Sequence, residues 1–144
     1  MENMDNLDII LEEILLGVYS RVIANEEKLL KSLSQLGLKE FNTLDAIALS
    51  MKNKNNTANN IAKILGITPG TLTTNLDRLQ EKGLIDKEKN TEDKRIVQIT
   101  LTPIGSALRK KRESIHKKLI NNAIKNLSTS EKVALMNALN KIEF

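Results

Sequence analysis

Residues 57–102 read TANNIAKILGITPGTLTTNLDRLQEKGLIDKEKNTEDKRIVQITLT, and their punctuation divides them. Thr57 is an N-cap residue for a short helix over 58–65, and Gly66 follows at the position where positive φ is cheap only for glycine. Thr68-Pro69 repeats the start signal, since a proline in the first helical position loses no hydrogen bond. The helix it opens is predicted to run to about Lys82, with Leu72, Leu76 and Leu79 inward, and Gly83 ends it. From Leu84 the apolar period changes from 3.6 to 2. Ile85, Lys87 and Lys89 alternate with Asp86 and Glu88, then Val97, Ile99 and Leu101 alternate with Ile96, Gln98 and Thr100. NTEDK over 90–94 supplies the turn of a hairpin with a polar tip.

Outward from this stretch the chain is helical. Residues 5–34 form a first helix whose apolar positions (Ile9, Ile10, Leu11, Ile14, Leu15, Leu16, Val18, Val22, Ile23, Leu29, Leu30, Leu33) are wider than one stripe. Such a helix is buried on more than one side, and in a small chain the simplest second surface is another subunit. Gly37 is expected to break it. Leu38, Phe41, Leu44, Ile47 or Ala48, and Met51 mark a second helix, and KNKNN over 52–56 is a polar loop. In the third helix Ile61, Ile64 and Leu65 are expected inward. Thr102-Pro103 starts a fifth helix to about Asn126, with Ile104, Leu108, Ile115, Leu119 and Ala123 on one face. Ser128-Thr129-Ser130-Glu131 is a capping box for a sixth through Ile142. The fold class is mainly α with a small β-hairpin: a winged helix-turn-helix between N- and C-terminal helices.

Composition narrows the function. Aromatics are 2% of 144 residues, so the core is aliphatic and base-stacking on single strands is disfavoured. Without cysteine there is no disulfide, thiolate zinc site or cysteine redox sensor. With one histidine, a multi-histidine metal site is not expected, and no metal or cofactor is called for. No apolar run reaches a membrane span and the N-terminus is acidic rather than signal-like, so the expectation is a cytoplasmic protein with no membrane contact. Net charge is +4, but residues 1–30 hold seven acids against Arg21 and Lys28, which leaves the remainder strongly basic. A basic body suits a polyanion. No Ser/His/Asp set, phosphate loop or carboxylate pair suggests an enzyme.

The fourth helix supplies the reader. With its leucines inward, its other face presents Gly70, Thr71, Thr73, Thr74, Asn75 and Arg78, behind the cap Thr68. Short hydrogen-bonding side chains fit a major groove, where Asn pairs with adenine and Thr offers a hydroxyl and a methyl. Gly70 allows close backbone approach, and the helix N-terminus can hold a phosphate. Arg78 lies further along, toward phosphate. The hairpin carries Lys87, Lys89, Lys94 and Arg95. An arginine at a hairpin tip suits a narrow minor groove, and Asp93 is placed to orient it, although Asp93 and Arg95 also read as an ordinary exposed ion pair.

Here the sequence resembles a known family. LDRLQEKGLI over 76–85, then Asp93-Lys94-Arg95 with Leu101-Thr102 and Gly105, is similar to the end of the recognition helix and the wing, D-x-R…LT…G, of the MarR family. The resemblance covers essentially the whole chain. It implies one MarR-type domain over 1–144, with 5–34 and 103–144 as dimerisation helices and 38–102 as the DNA-binding region. It implies a homodimer on a pseudo-palindromic operator, one half-site per subunit. LKEFNTLDAI over 38–47 and GTLTTNL over 70–76 further resemble the FabT-type repressors of fatty acid synthesis, whose corepressor is acyl-acyl carrier protein. On that resemblance the basic run Arg109-Lys110-Lys111-Arg112, with Lys117 and Lys118, is a dock for acidic carrier protein. It reads equally as a flanking-DNA contact or a solvated face. His116 is expected at the surface or the seam, and Met51 and Met136 in the core. A regulator of the same family sensing a small lipophilic or phenolic ligand, and a winged-helix protein-docking module, remain as alternatives.

Overall fold

The computed structural model describes the backbone of residues 2–143 and the side chains of 6–143 apart from Leu33. Leu33 and Phe144 therefore lie outside the described side chains. In chain order the elements are α1 (Glu2–Ser34), α2 (Leu38–Lys52), α3 (Ala58–Leu65), α4 (Pro69–Glu81), β1 (Ile85–Lys89), β2 (Val97–Leu101), α5 (Pro103–Ile124) and α6 (Thr129–Leu139).

The helix boundaries follow the capping chemistry. Thr57, Thr68, Thr102 and Ser128 each accept a backbone N–H three residues on, which satisfies one of the orphan donors at each helix start. Gly66 ends α3 in the left-handed region at φ 65°. Two ends differ from expectation. The chain leaves α1 through Gln35, at φ 55°, whereas Gly37 has φ −86° and caps α2, its N–H donating to Glu40 Oε2 at 2.6 Å. Helices α5 and α6 stop at Ile124 and Leu139, a few residues short of Asn126 and Ile142.

The core lies under the hairpin. Phe41, Leu44 and Ile47 of α2 pack with Ile61 of α3, Leu72, Leu76 and Leu79 of α4, and Leu84, Ile85 and Ile99. Leu30 and Leu36 join it from the α1–α2 junction. Each buried leucine of this kind contributes about 1.5–3 kcal/mol, so this cluster holds α2–α4 and the hairpin as one body. β1 and β2 are antiparallel, with Ile85 opposite Leu101 and Lys89 opposite Val97. On its other side β2 takes a second partner that the sequence did not announce. Ile99 N–H donates to Asn56 O at 2.8 Å, Asn56 Nδ2 returns to Ile99 O at 2.8 Å, and Thr57 bridges Gln98.

Several apolar assignments are corrected by burial. Ile64, Met51 and Met136 are exposed rather than core, and Ile104, on the apolar face of α5, is 65% exposed. Ile64 lies off the stripe that carries Ile61 and Ala62, both buried. Ile104 sits in the first turn of α5, before that helix reaches α1 and α2. In the single chain α1 exposes Leu7, Ile9, Ile10, Leu11, Ile14, Leu15, Leu16, Val18, Tyr19 and Val22, and α6 has no buried residue. No helix among the described residues is long and apolar enough to cross a membrane.

Candidate nucleic-acid interface

Helix α4 turns Leu72, Leu76 and Leu79 inward and leaves Thr68, Gly70, Thr71, Thr73, Thr74 and Arg78 exposed, with Asn75 half-buried. Its threonines are not free rotors. Thr73 Oγ1 donates to Pro69 O at 2.9 Å and Thr74 Oγ1 to Gly70 O at 3.3 Å. Bonds of this kind offset part of the cost of β-branched residues in a helix. They also commit each hydroxyl proton inward, so the oxygens remain as acceptors on the exposed face. Thr71 Oγ1 lies 2.9 Å from the capping oxygen of Thr68.

Beside this face Thr71, Asn75 and Arg78 share a 350 Å³ groove with Lys39 and Asn42 of α2. Sequence reading missed Lys39. The one signal for it is a cation in the first turn of a helix, which opposes the helix dipole.

The wing tip is ordered by two side chains. Asn90 Oδ1 accepts the N–H groups of Glu92 (2.8 Å) and Asp93 (3.3 Å). Asp93 Oδ1 accepts Arg95 N–H at 3.0 Å and Arg95 Nε at 3.2 Å, while Asp93 Oδ2 lies 3.5 Å from Arg95 Nη2. Arg95 is nonetheless 92% exposed, so it is aimed without being covered. Asn90 was not singled out from sequence, although Asx turns of this kind are its usual work. Lys89 and Lys94 are exposed. Lys87 differs, because it pairs with Asp77 of α4 and so ties the wing to the helix.

The basic run on α5 is not a continuous patch. Arg112 is buried, with Nε 2.8 Å from Glu26 Oε1, Nη1 2.5 Å from Asp45 Oδ2 and Nη2 3.0 Å from Asn42 Oδ1. Its guanidinium carbon stands 5.8 Å from the Phe41 ring centroid. Arg109 Nε lies 2.9 Å from Asp45 Oδ1, near enough to pair though not at a hydrogen-bonding angle. Its Nη1 lies 3.3 Å from Glu113. Lys110, Lys111, Lys117 and Lys118 alone face outward. The correction has a physical reason: acids on α1 and α2, distant in sequence, fold onto these arginines. His116 is half-exposed with Nε2 2.6 Å from Glu26 Oε1. Burial pushes the Glu26 carboxyl up, but hydrogen bonds from His116 and Arg112 and their charges outweigh it and hold it below the ordinary glutamate value.

Two capped helices joined by a tight turn, followed by a hairpin tied back to the second helix, define a winged helix-turn-helix protein. Residues 42–97 match the model of the MarR family. Over that stretch, less than half of the chain, it is similar to the MarR family. The multiple antibiotic resistance protein MarR of Salmonella typhimurium is 37% identical over 87 residues, which cover 57% of this chain and 58% of that protein. The chain thus spans less than two thirds of that relative. Streptococcus pneumoniae FabT, solved in complex with DNA, superposes with a TM-score of 0.75 at 28% identity, covering 90% of each chain. MepR, a transcription regulator of the Staphylococcus aureus multidrug efflux pump MepA, shares the fold: TM-score 0.79, 23% identity, 90% and 93% coverage.

Proposed function

We propose that this chain is a homodimeric transcriptional repressor that binds a pseudo-palindromic operator. In this reading α4 enters the major groove and the Arg95 tip enters the flanking minor groove. One observation carries it: an exposed Thr/Asn face on α4 sits beside a wing whose arginine is oriented by Asp93 yet 92% exposed. The likeness to FabT in complex with DNA supports the same reading. Within it, Thr68, Gly70, Thr71, Thr73, Thr74 and Asn75 contact the major groove. Arg78, Lys89 and Lys94 contact phosphate, and Asp93 orients Arg95. The exposed apolar side of α1, with α5 and α6, meets the second subunit.

The effector we assign is lipophilic, with acyl-acyl carrier protein as corepressor and fatty acid synthesis genes as the regulated set. The likeness to FabT supports this, as does a 550 Å³ cavity between α1 and α5, lined by Val18, Val22, Leu119, Ile120 and Ala123 with Arg21. A mainly aliphatic lining, with Arg21, Asn25 and Asn122 as its polar members, suits an acyl chain. Absence of cysteine leaves no thiol for sensing by oxidation. The test is a mobility shift on the protein's own promoter, titrated with salt, with and without acylated carrier protein. Binding that falls steeply with salt is expected, because phosphate contacts release counterions. Salt-independent binding, or none, overturns the DNA reading. An unchanged affinity with acylated carrier protein overturns only the corepressor.

A further inference from the structure

We propose that Arg112 is a positioning residue that fixes the angle between α1 and the winged helix. On the dimeric DNA-binding reading above, it thereby sets the separation of the two reading faces.

Three observations lead to this. First, α1 joins the winged helix through Gln35–Gly37, and Leu30 and Leu36 anchor it only next to that junction. The next buried residue toward the N-terminus is Glu26. Over 6–25 no residue of α1 is buried, and only Gly17 and Ile23 are even half-covered. Glu26 is therefore the outermost buried tie of α1 to its own chain. Second, what Glu26 meets is not a general apolar surface but one guanidinium, which spends its remaining nitrogens on Asp45 and Asn42 of α2. A single planar group on α5 thus holds α1 and α2 at once, in a fork geometry that lysine cannot reproduce. His116, one turn further along α5, takes the same Glu26 oxygen and closes the cluster toward solvent. Third, the lever is long. From Glu26 to the start of α1 is about 35 Å at the helical rise, so a tilt of about 10° moves that end by about 6 Å. A shift of that size exceeds the ~3.4 Å rise of one base pair, and half-sites are read at a fixed spacing.

The absence of cysteine allows a direct test. Cysteines at Ser20 on α1 and Lys63 on α3, both exposed, would carry a nitroxide pair in the full chain. Dilution with excess unlabelled chain makes the measured distance intramolecular. Pulsed electron spin resonance should give a narrow distribution for the wild type. Arg112→Met should shift it or widen it about twofold as the hinge is released, with Arg112→Lys in between. Glu26→Leu, which fills the same space but offers Arg112 no acceptor, decides the matter if Arg112→Met does not fold by circular dichroism. A folded Arg112→Met or Glu26→Leu chain with the wild-type distribution overturns the proposal. On operators lengthened or shortened by one base pair between half-sites, the variant should lose the wild type's preference for the native spacing. If the wild type binds no promoter DNA, the DNA reading fails, while the distance measurement still decides the role of Arg112.

Discussion

The Leu84 carbonyl lies so close over Gly105 that a Cβ at residue 105 would stand 2.0 Å from the oxygen and 3.0 Å from its carbon. The same oxygen accepts Thr102 N–H at 3.0 Å, and Thr102 Oγ1 donates to Gly83 O at 2.7 Å. The start of α5 is thus laid directly on the backbone that leads from α4 into β1. The obstacle to any side chain at 105 is main chain, which cannot rotate aside. Gly105→Ala should therefore cost about 3 kcal/mol or more, at the upper end of overpacking effects, read as a lowered midpoint in urea unfolding. Gly70→Ala, where nothing lies within 4 Å of the added carbon, serves as the control and should leave stability unchanged or raise it.

Acid should loosen the Glu26 cluster in a definite window. The folded-state pKa of Glu26 lies below its ordinary value of 4.5, with the burial that opposes this outweighed by His116 and Arg112. A lowered carboxyl pKa contributes stability that is fully present above 4.5 and is lost as pH falls through the lower folded value. Wild type should therefore exceed Glu26→Gln in thermal midpoint at neutral pH, and the gap should narrow as pH falls below 4.5. A gap that is constant across that range would show that the Glu26 charge contributes nothing.

The wing pair separates affinity from stability. Arg95 is nearly fully exposed, so its bond to Asp93 contributes below ~1 kcal/mol to folding. Asp93→Ala should leave the thermal midpoint within a degree or two yet weaken operator binding about tenfold by freeing the guanidinium, a loss of ~1.4 kcal/mol. Arg95→Ala should weaken it further. Fluorescence anisotropy on labelled operator measures both, and equal affinities for wild type and Asp93→Ala would remove Asp93 from the reading apparatus.

Helix α1 offers a test of assembly that leaves the winged helix alone. Leu15 is exposed in the single chain and far from the core that joins α2, α3, α4 and the hairpin. Leu15→Asp should shift sedimentation from dimer toward monomer and weaken operator binding, with the α2–α4 body still folded by amide exchange. A variant that sediments as the wild type does would move the subunit contact elsewhere.

Local chemistry is the part of this structure that could be read in advance. Thr57, Thr68, Thr102 and Ser128 cap their helices as their neighbours predict, and the change of period at Leu84 marks the hairpin, because each signal lies within a few residues of what it controls. Arg112 was illegible for the opposite reason. In RKKR it resembles its solvated neighbours, and its burial depends on Glu26, Asn42 and Asp45, which lie 67 to 86 residues away. The Asn56 pairing with Ile99 was hidden likewise, since KNKNN carries no strand pattern of its own. Within the candidate interface, the exposed α4 face followed from Leu72, Leu76 and Leu79. The lock of Asn90 on the wing tip and the groove shared with Lys39 required the fold.

The pairing of β2 with Asn56 and Thr57 bears on how the protein behaves in a crowded cell. Because Asn56 and Thr57 cover one side of β2 and β1 covers the other, the hairpin leaves a single open strand edge, that of β1. Its sequence is IDKEK, four alternating charges after one buried isoleucine. Unpaired edges invite strand addition from other chains, and lysine-rich edges discourage it. The wing can thus stand out from the molecule, as its task requires, without becoming a template for aggregation.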